Sequence, residues 1–208
     1  MKDRGTNWIA AYPSSSKSLS HTRSAIQDFV GSDKVHHWYS DGAEELHAAC
    51  REEGIRHDKS DPNRHETNGV IERCNCTIIE GARTLLYQSG LPYKYWNLAM
   101  RHFCHNYDFD YRDVKHDKNS FEERFGKKFD GRKVHFGQKV YYLPSSNADL
   151  AKREKLDAST RLGIVVGYRM HSGGRWTGQY LVLDKEDFEK QKQNNLACAH
   201  PVSEVTFP

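Results

Sequence analysis

The chain opens without a long apolar run: MKDRGTNWIAAYP is too polar for a signal peptide or a membrane helix. Cysteine is scarce and patternless. Its five residues stand at irregular positions with no Cys-x-x-Cys pair, which argues against a disulfide framework and points to a reducing setting, nuclear or cytoplasmic, with no membrane partner. Net charge is small as well, because 31 Lys+Arg are nearly offset by 28 Asp+Glu to leave +3. Such a balance permits a nucleic-acid partner without demanding one, although 12 histidines add positive charge below neutral pH. No internal repeat is visible. What is present is enough apolar material, 37% with 12% aromatic, for a 208-residue chain to bury one large core or two small ones.

The patterning is mixed. TNWIAAY (6–12) is rich in β-formers and ends at Pro13, which predicts a strand followed by a loop. From 21 to 30, Ala25, Ile26, Phe29 and Val30 make one helical stripe that stops at Gly31. VHHWYS (35–40) reads as a strand carrying Asp41 at its end, and 44–53 as a short helix halted by Gly54. This alternation is that of an α/β layer. The polar stretch 57–68 reads as a loop. From Val70, apolar residues recur at three and four positions through Cys74, Ile78, Ala82 and Leu86 until Gly90 and Pro92 end the helix. A second helix follows Pro92, and the charged segment 108–130 reads as a linker with a short helix at 121–125. After Gly131 the character changes to β-rich runs, QKVYYL, LGIVVGY, GQYLVL and VSEVTF, parted by turns, as in a small barrel or sandwich.

Two acids stand where chemistry is easiest to build. Asp41 ends a strand, and Glu72 sits near a helix start, off the buried stripe, where the helix dipole favours a carboxylate. Carboxylates on rigid elements are the hard oxygen ligands that two-metal phosphoryl transfer requires. Spacing alone leaves the ordinary reading open, because a chain with 28 acids contains many such pairs.

Seven segments narrow the choice: YSDGAEEL, GIRH, NGVIERCNCTIIEGARTLL, GLPYKYWNLAM, FGQKVYYL, KLDASTRLGIVVGY and VSEVTF. They stand in the order seen in copia-type retrotransposon integrases, which the chain resembles over almost its whole length. The resemblance implies an α/β fold: an N-terminally truncated ribonuclease H-like core, then a helical linker and a small all-β SH3-like barrel. It divides the chain into a core with C-terminal helices at 1–107, a linker at 108–130 and the barrel at 131–208. It makes Asp41 the second and Glu72 the third acid of a D,D,E triad, both catalytic and both ligands of Mg²⁺ or Mn²⁺. It gives Asn68, Arg73 and Asn75 supporting or DNA-contacting roles, and it implies DNA as partner and a homo-oligomer as the active integrase.

Departures from the family pattern bear on activity. Asp3 matches a non-catalytic aspartate of the second strand, so the first catalytic aspartate is absent from the chain, and integration chemistry is expected to be impaired. Asp41 and Glu72 also stand closer in sequence than is usual, and His65-Glu66 replaces the usual Pro-Gln. The alternative is a noncatalytic nucleic-acid-binding or relic transposon-derived protein.

Other constellations have plainer readings. Cys74 and Cys76 lie about 200° apart around a helix and cannot share one zinc well. Tyr93, Tyr95, Trp96 and Phe103 fit a helix core better than a base-stacking platform. Arg161, Arg169, Arg175 and LAKREK could meet phosphates or simply face solvent.

Overall fold

A computed structural model of the chain describes residues 1–60, 69–112, 117–144, 159–190 and 197–208. These build a mixed helix-and-sheet protein that separates into two compact units. One comprises Met1–Glu80, Tyr107–Phe129 and Met170–Arg175; the other comprises Gly81–Asn106, Asp130–Arg169 and Trp176–Pro208.

In the first unit, helix α1 (Leu19–Val30) begins at Ser18, whose hydroxyl accepts from the His21 N–H, and ends at Gly31 with φ 60°. Its buried face, Ile26 and Phe29, follows the stripe expected from the sequence. Strand β1 (Trp38–Ser40) leads into α2 (Glu44–Glu52), and α2 leads into β2 (His57–Lys59). The strands pair in parallel, Trp38 opposite His57 and Ser40 opposite Lys59, so β1–α2–β2 is a crossover unit. The start of the expected 57–68 loop is therefore a strand, and its remainder, 61–68, lies outside the described residues. Ile26, Ala49 and Cys50 form the seam between α1 and α2, joined by Trp38, Leu46 and Ile55.

TNWIAAY is not a strand. It contributes one antiparallel bridge, Lys2 to Ile9, around a turn in which the Asp3 carboxylate accepts from the Gly5 N–H (2.9 Å) and the Thr6 hydroxyl (2.6 Å). Its apolar residues are nevertheless core, with Trp8 and Ile9 each 2% exposed.

Residues 107–129 belong to this unit through a run of aromatics. Helix α3 spans Gly69–Ser89, α4 spans Trp96–Asp110 after a 3₁₀ turn at Tyr93–Tyr95, and α5 spans Ser120–Phe125. Asn119 caps α5, accepting from the Glu122 N–H (2.8 Å) and donating to the Phe109 carbonyl (2.9 Å). Phe109 stacks on Phe129 at 3.9 Å, and Trp8 meets Phe125 edge-on at 5.6 Å. Arg124 is the polar centre of this packing. It donates to the carbonyls of Phe29 (3.0 Å) and Gly173 (3.1 Å) and pairs with Asp33 at 2.8 Å.

The second unit is a five-stranded sheet with helices. Strands β3 (Lys139–Tyr142), β4 (Arg161–Met170), β5 (Trp176–Asp184), β6 (Ala199–Val202) and β7 (Val205–Thr206) lie in the order β6-β5-β4-β3-β7, with the short helix α6 (Lys185–Glu189) after β5. These strands pair with one another and not with β1 or β2. The expected final strand VSEVTF is broken at Ser203 into β6 and β7. The core joins Ala82 and Leu86 of α3 and Ala99 of α4 to Phe136, Val166 and Leu183. Gly81 is required here, since a Cβ would stand 2.1 Å from the Phe103 ring. Among the described residues no helix is long and apolar enough to cross a membrane.

Candidate active site

Asp41 directly follows the last residue of β1, at the C-terminal end of a strand in a parallel pair, where α/β sheets place their ligands. The position follows from local chemistry. Aromatic and β-branched propensity carries the chain to Ser40, and Gly42 and Ala43 then release it into α2. The side chain is exposed, and its Oδ1 accepts from the Ala43 N–H at 3.4 Å.

Glu72 lies in the first turn of α3 and is exposed. Arg73 and Asn75 are exposed on the same helix, while Cys74 and Ile78 are buried, as the stripe required. No hydrogen bond or ion pair joins Asp41 to Glu72, Arg73 or Asn75. Asn68 lies outside the described residues.

Cys74 and Cys76 are separated as expected, one buried and one exposed, and none of the five cysteines is in a disulfide. Burial pushes the Cys74 thiol pKa up, the reverse of what a nucleophile needs. The aromatic run after Pro92 is divided. Tyr95 is core at 1% exposure, whereas Tyr93 at 72% and Trp96 at 48% face solvent.

A polar cluster beside Asp41 was not legible in the sequence. The Ser40 hydroxyl donates to the Asp41 carbonyl (3.0 Å) and contacts His57 Nε2 (2.8 Å). His57 Nδ1 in turn stands 3.1 Å from His47 Nδ1 on α2. Close by in sequence, His37 Nε2 pairs with Asp58 at 2.8 Å. Ten residues separate His47 from His57, and only the parallel register of β1 and β2 reveals that α2 returns one toward the other. A shallow cleft of the same unit, lined by Gly5, Thr6, Asn7, Tyr111, Lys118, Ser120 and Glu123, contains none of the expected site residues.

A divalent ion of the Mg²⁺ class takes about six oxygen ligands, several of them carboxylates in an active site. Asp41 and Glu72 are exposed donors of that chemistry. Among the described residues, however, no three His, Cys, Asp or Glu side chains are placed to hold an ion. The described residues therefore do not make a complete Mg²⁺ or Mn²⁺ site.

No protein-family profile matches the chain. A simian T-cell lymphotropic virus intasome, solved in complex with a PP2A regulatory subunit, contains a chain that overlaps 99% of this one and 70% of its own length, at 14% identity and TM-score 0.49. The catalytic core domain of BIV integrase overlaps 51% of this chain and 70% of its own, at 15% identity and TM-score 0.40. Neither overlap is close enough to establish a shared fold. Sequence similarity is firmer but short. Over 61 residues, 29% of this chain, the identity is 39% to the retrovirus-related Pol polyprotein from transposon TNT 1-94 of Nicotiana tabacum, of which the match spans only 5%. Over that stretch the chain is a homologue of a retrotransposon Pol polyprotein.

Proposed function

We propose that the chain is an integrase-like part of a retrotransposon Pol polyprotein that acts on DNA, in a nuclear or cytoplasmic setting and as a homo-oligomer. The observation that carries this reading is Asp41 at the C-terminal end of β1 in a β1–α2–β2 crossover, in a chain homologous to a retrotransposon Pol polyprotein. In this reading the first unit is of the ribonuclease H-like kind, and the β-rich segment 131–208 is the SH3-like barrel. Asp41 and Glu72 are the acids, and both would contribute oxygen ligands to Mg²⁺ or Mn²⁺, the ion whose charge supports in-line attack on a phosphodiester. Arg73 and Asn75, exposed on the helix that carries Glu72, would meet phosphate oxygens, with Asn68 assigned the same role.

A second reading is favoured by the absence of a three-ligand group among the described residues. The chain would then be a noncatalytic nucleic-acid-binding protein derived from a transposon, with the same basic contacts and no turnover.

One set of measurements separates them. Duplex DNA binding is followed by anisotropy at two salt concentrations, and plasmid nicking is followed with Mn²⁺ for the wild type, Asp41→Asn and Glu72→Gln. Both readings require binding that weakens steeply with salt, by an order of magnitude or more between about 50 and 200 mM. The enzyme reading requires slow nicking that both substitutions abolish. Intact binding without nicking supports the second reading. Nicking that survives Glu72→Gln refutes the assignment of the acids, and no binding at low salt refutes both readings.

A further inference from the structure

We propose that His47 and His57 form a chelating site for a borderline transition-metal ion such as Zn²⁺ or Cu²⁺, separate from the Asp41 and Glu72 carboxylates. Two ring nitrogens bound to one metal at about 2.0–2.1 Å, with bond angles of 90–109°, stand about 2.9–3.4 Å apart. His47 Nδ1 and His57 Nδ1 are 3.1 Å apart. The rings are tilted by 44° with centroids 5.4 Å apart, so they converge at their nitrogen edges and do not stack face to face.

The surroundings prepare His57 as a ligand. Because the Ser40 hydroxyl gives its proton to the Asp41 carbonyl, its oxygen is left to accept, and His57 Nε2 must be the N–H that donates to it. That bond fixes the tautomer with a bare lone pair on Nδ1, facing His47. Metal-binding histidines are oriented in this way by a partner on the far ring nitrogen. Without metal, His47 Nδ1–H donates to the His57 lone pair. With metal, that hydrogen moves to His47 Nε2 through solvent, and both Nδ1 lone pairs face the ion. Burial, then the neighbouring His47, holds the His57 pKa below its ordinary value, the direction that suits a metal-binding ring. His47 is exposed, which leaves water free to complete the coordination.

Imidazole nitrogens select against Mg²⁺, which takes hard oxygen donors, and favour Cu²⁺ and Zn²⁺. The test is a titration of the full chain with Zn²⁺ in excess Mg²⁺, together with electron paramagnetic resonance of the Cu²⁺-loaded protein. One equivalent should bind, and the Cu²⁺ spectrum should show coupling to two nitrogens. His47→Gln and His57→Gln should each weaken Zn²⁺ at least tenfold, the double variant should weaken it further but by less than the two single losses combined, and Ser40→Ala should cost about tenfold through the lost orienting bond. Glu72→Gln, which the proposed function requires to abolish nicking, should leave Zn²⁺ and Cu²⁺ binding as in the wild type, so failure here and failure of the proposed function are told apart. A Cu²⁺ spectrum with one nitrogen or none, or losses in the two single variants that simply add in the double, would overturn the site.

Discussion

His102 is the sharpest handle on stability in the second unit. It is fully buried, stacked on Tyr168 (centroids 5.4 Å apart) and edge-on to Phe136. Its Nε2–H donates to the Val134 carbonyl at 3.1 Å, while Nδ1 is buried with no hydrogen-bond partner. Protonation would place a second N–H at Nδ1 with nothing to accept it, and burial lowers the pKa from 6.5 to about 4. The folded pKa is depressed, so the folded state resists a proton that the unfolded chain accepts. Stability is present above the unfolded pKa near 6.5 and is lost as the pH falls toward 4. At about 1.36 kcal/mol per unit the full loss is about 3.4 kcal/mol, and about 2 kcal/mol of it has occurred by about pH 5. His105, which burial lowers to about 3, adds a loss of the same sign. His102→Gln keeps an N–H for Val134 but does not titrate. It should cost about 1–3 kcal/mol at pH 7 through the lost ring contacts, and it should then lose about 2 kcal/mol less than the wild type between about pH 7 and pH 5. Urea unfolding followed by far-ultraviolet circular dichroism at the two pH values measures this difference. An equal loss in both proteins would refute the reasoning.

Further outcomes concern the first unit. Burial raises the Asp108 carboxyl well above its ordinary pKa, against the opposing Ile9 N–H bond (3.0 Å) and the charge of Arg124. A raised folded pKa means stability present at low pH and lost as the pH rises through it, so Asp108→Asn should melt higher than the wild type at about pH 8 and nearly the same at about pH 4. A lower melting temperature at both pH values would show that the carboxylate is needed charged. Arg124→Ala strips two carbonyls of their donor at a side chain only 6% exposed, and should cost about 1–3 kcal/mol by thermal or urea unfolding, the exposed Asp33 adding little. Arg124→Lys should recover little of that, since an ammonium cannot reproduce the planar fork. A loss under about 1 kcal/mol would mean that the aromatics hold 107–129 in place without it.

Much of this protein was legible locally. The stripe and Gly31 that bound α1, the three-and-four spacing of α3 and the turn-parted strands after residue 131 are decided by neighbours a few residues apart, and the structure forms them there. The placement of Asp41 after a strand and of Glu72 in a helix's first turn followed from the same local signals. Tertiary structure decided what depends on distant partners. His57–Lys59 is polar and short, and it becomes a strand only because β1 offers it a parallel edge. TNWIAAY, with full β propensity, finds no such edge and buries Trp8 and Ile9 from a turn instead. Within the segment 108–130, read as a linker from its charges, Phe109, Phe121 and the caged Arg124 have packing partners up to 95 residues away in the chain. Periodicity reports which face of an element is apolar, but not which element will cover it. For the same reason the His47–His57 pair came into being only when α2 folded back between its two strands.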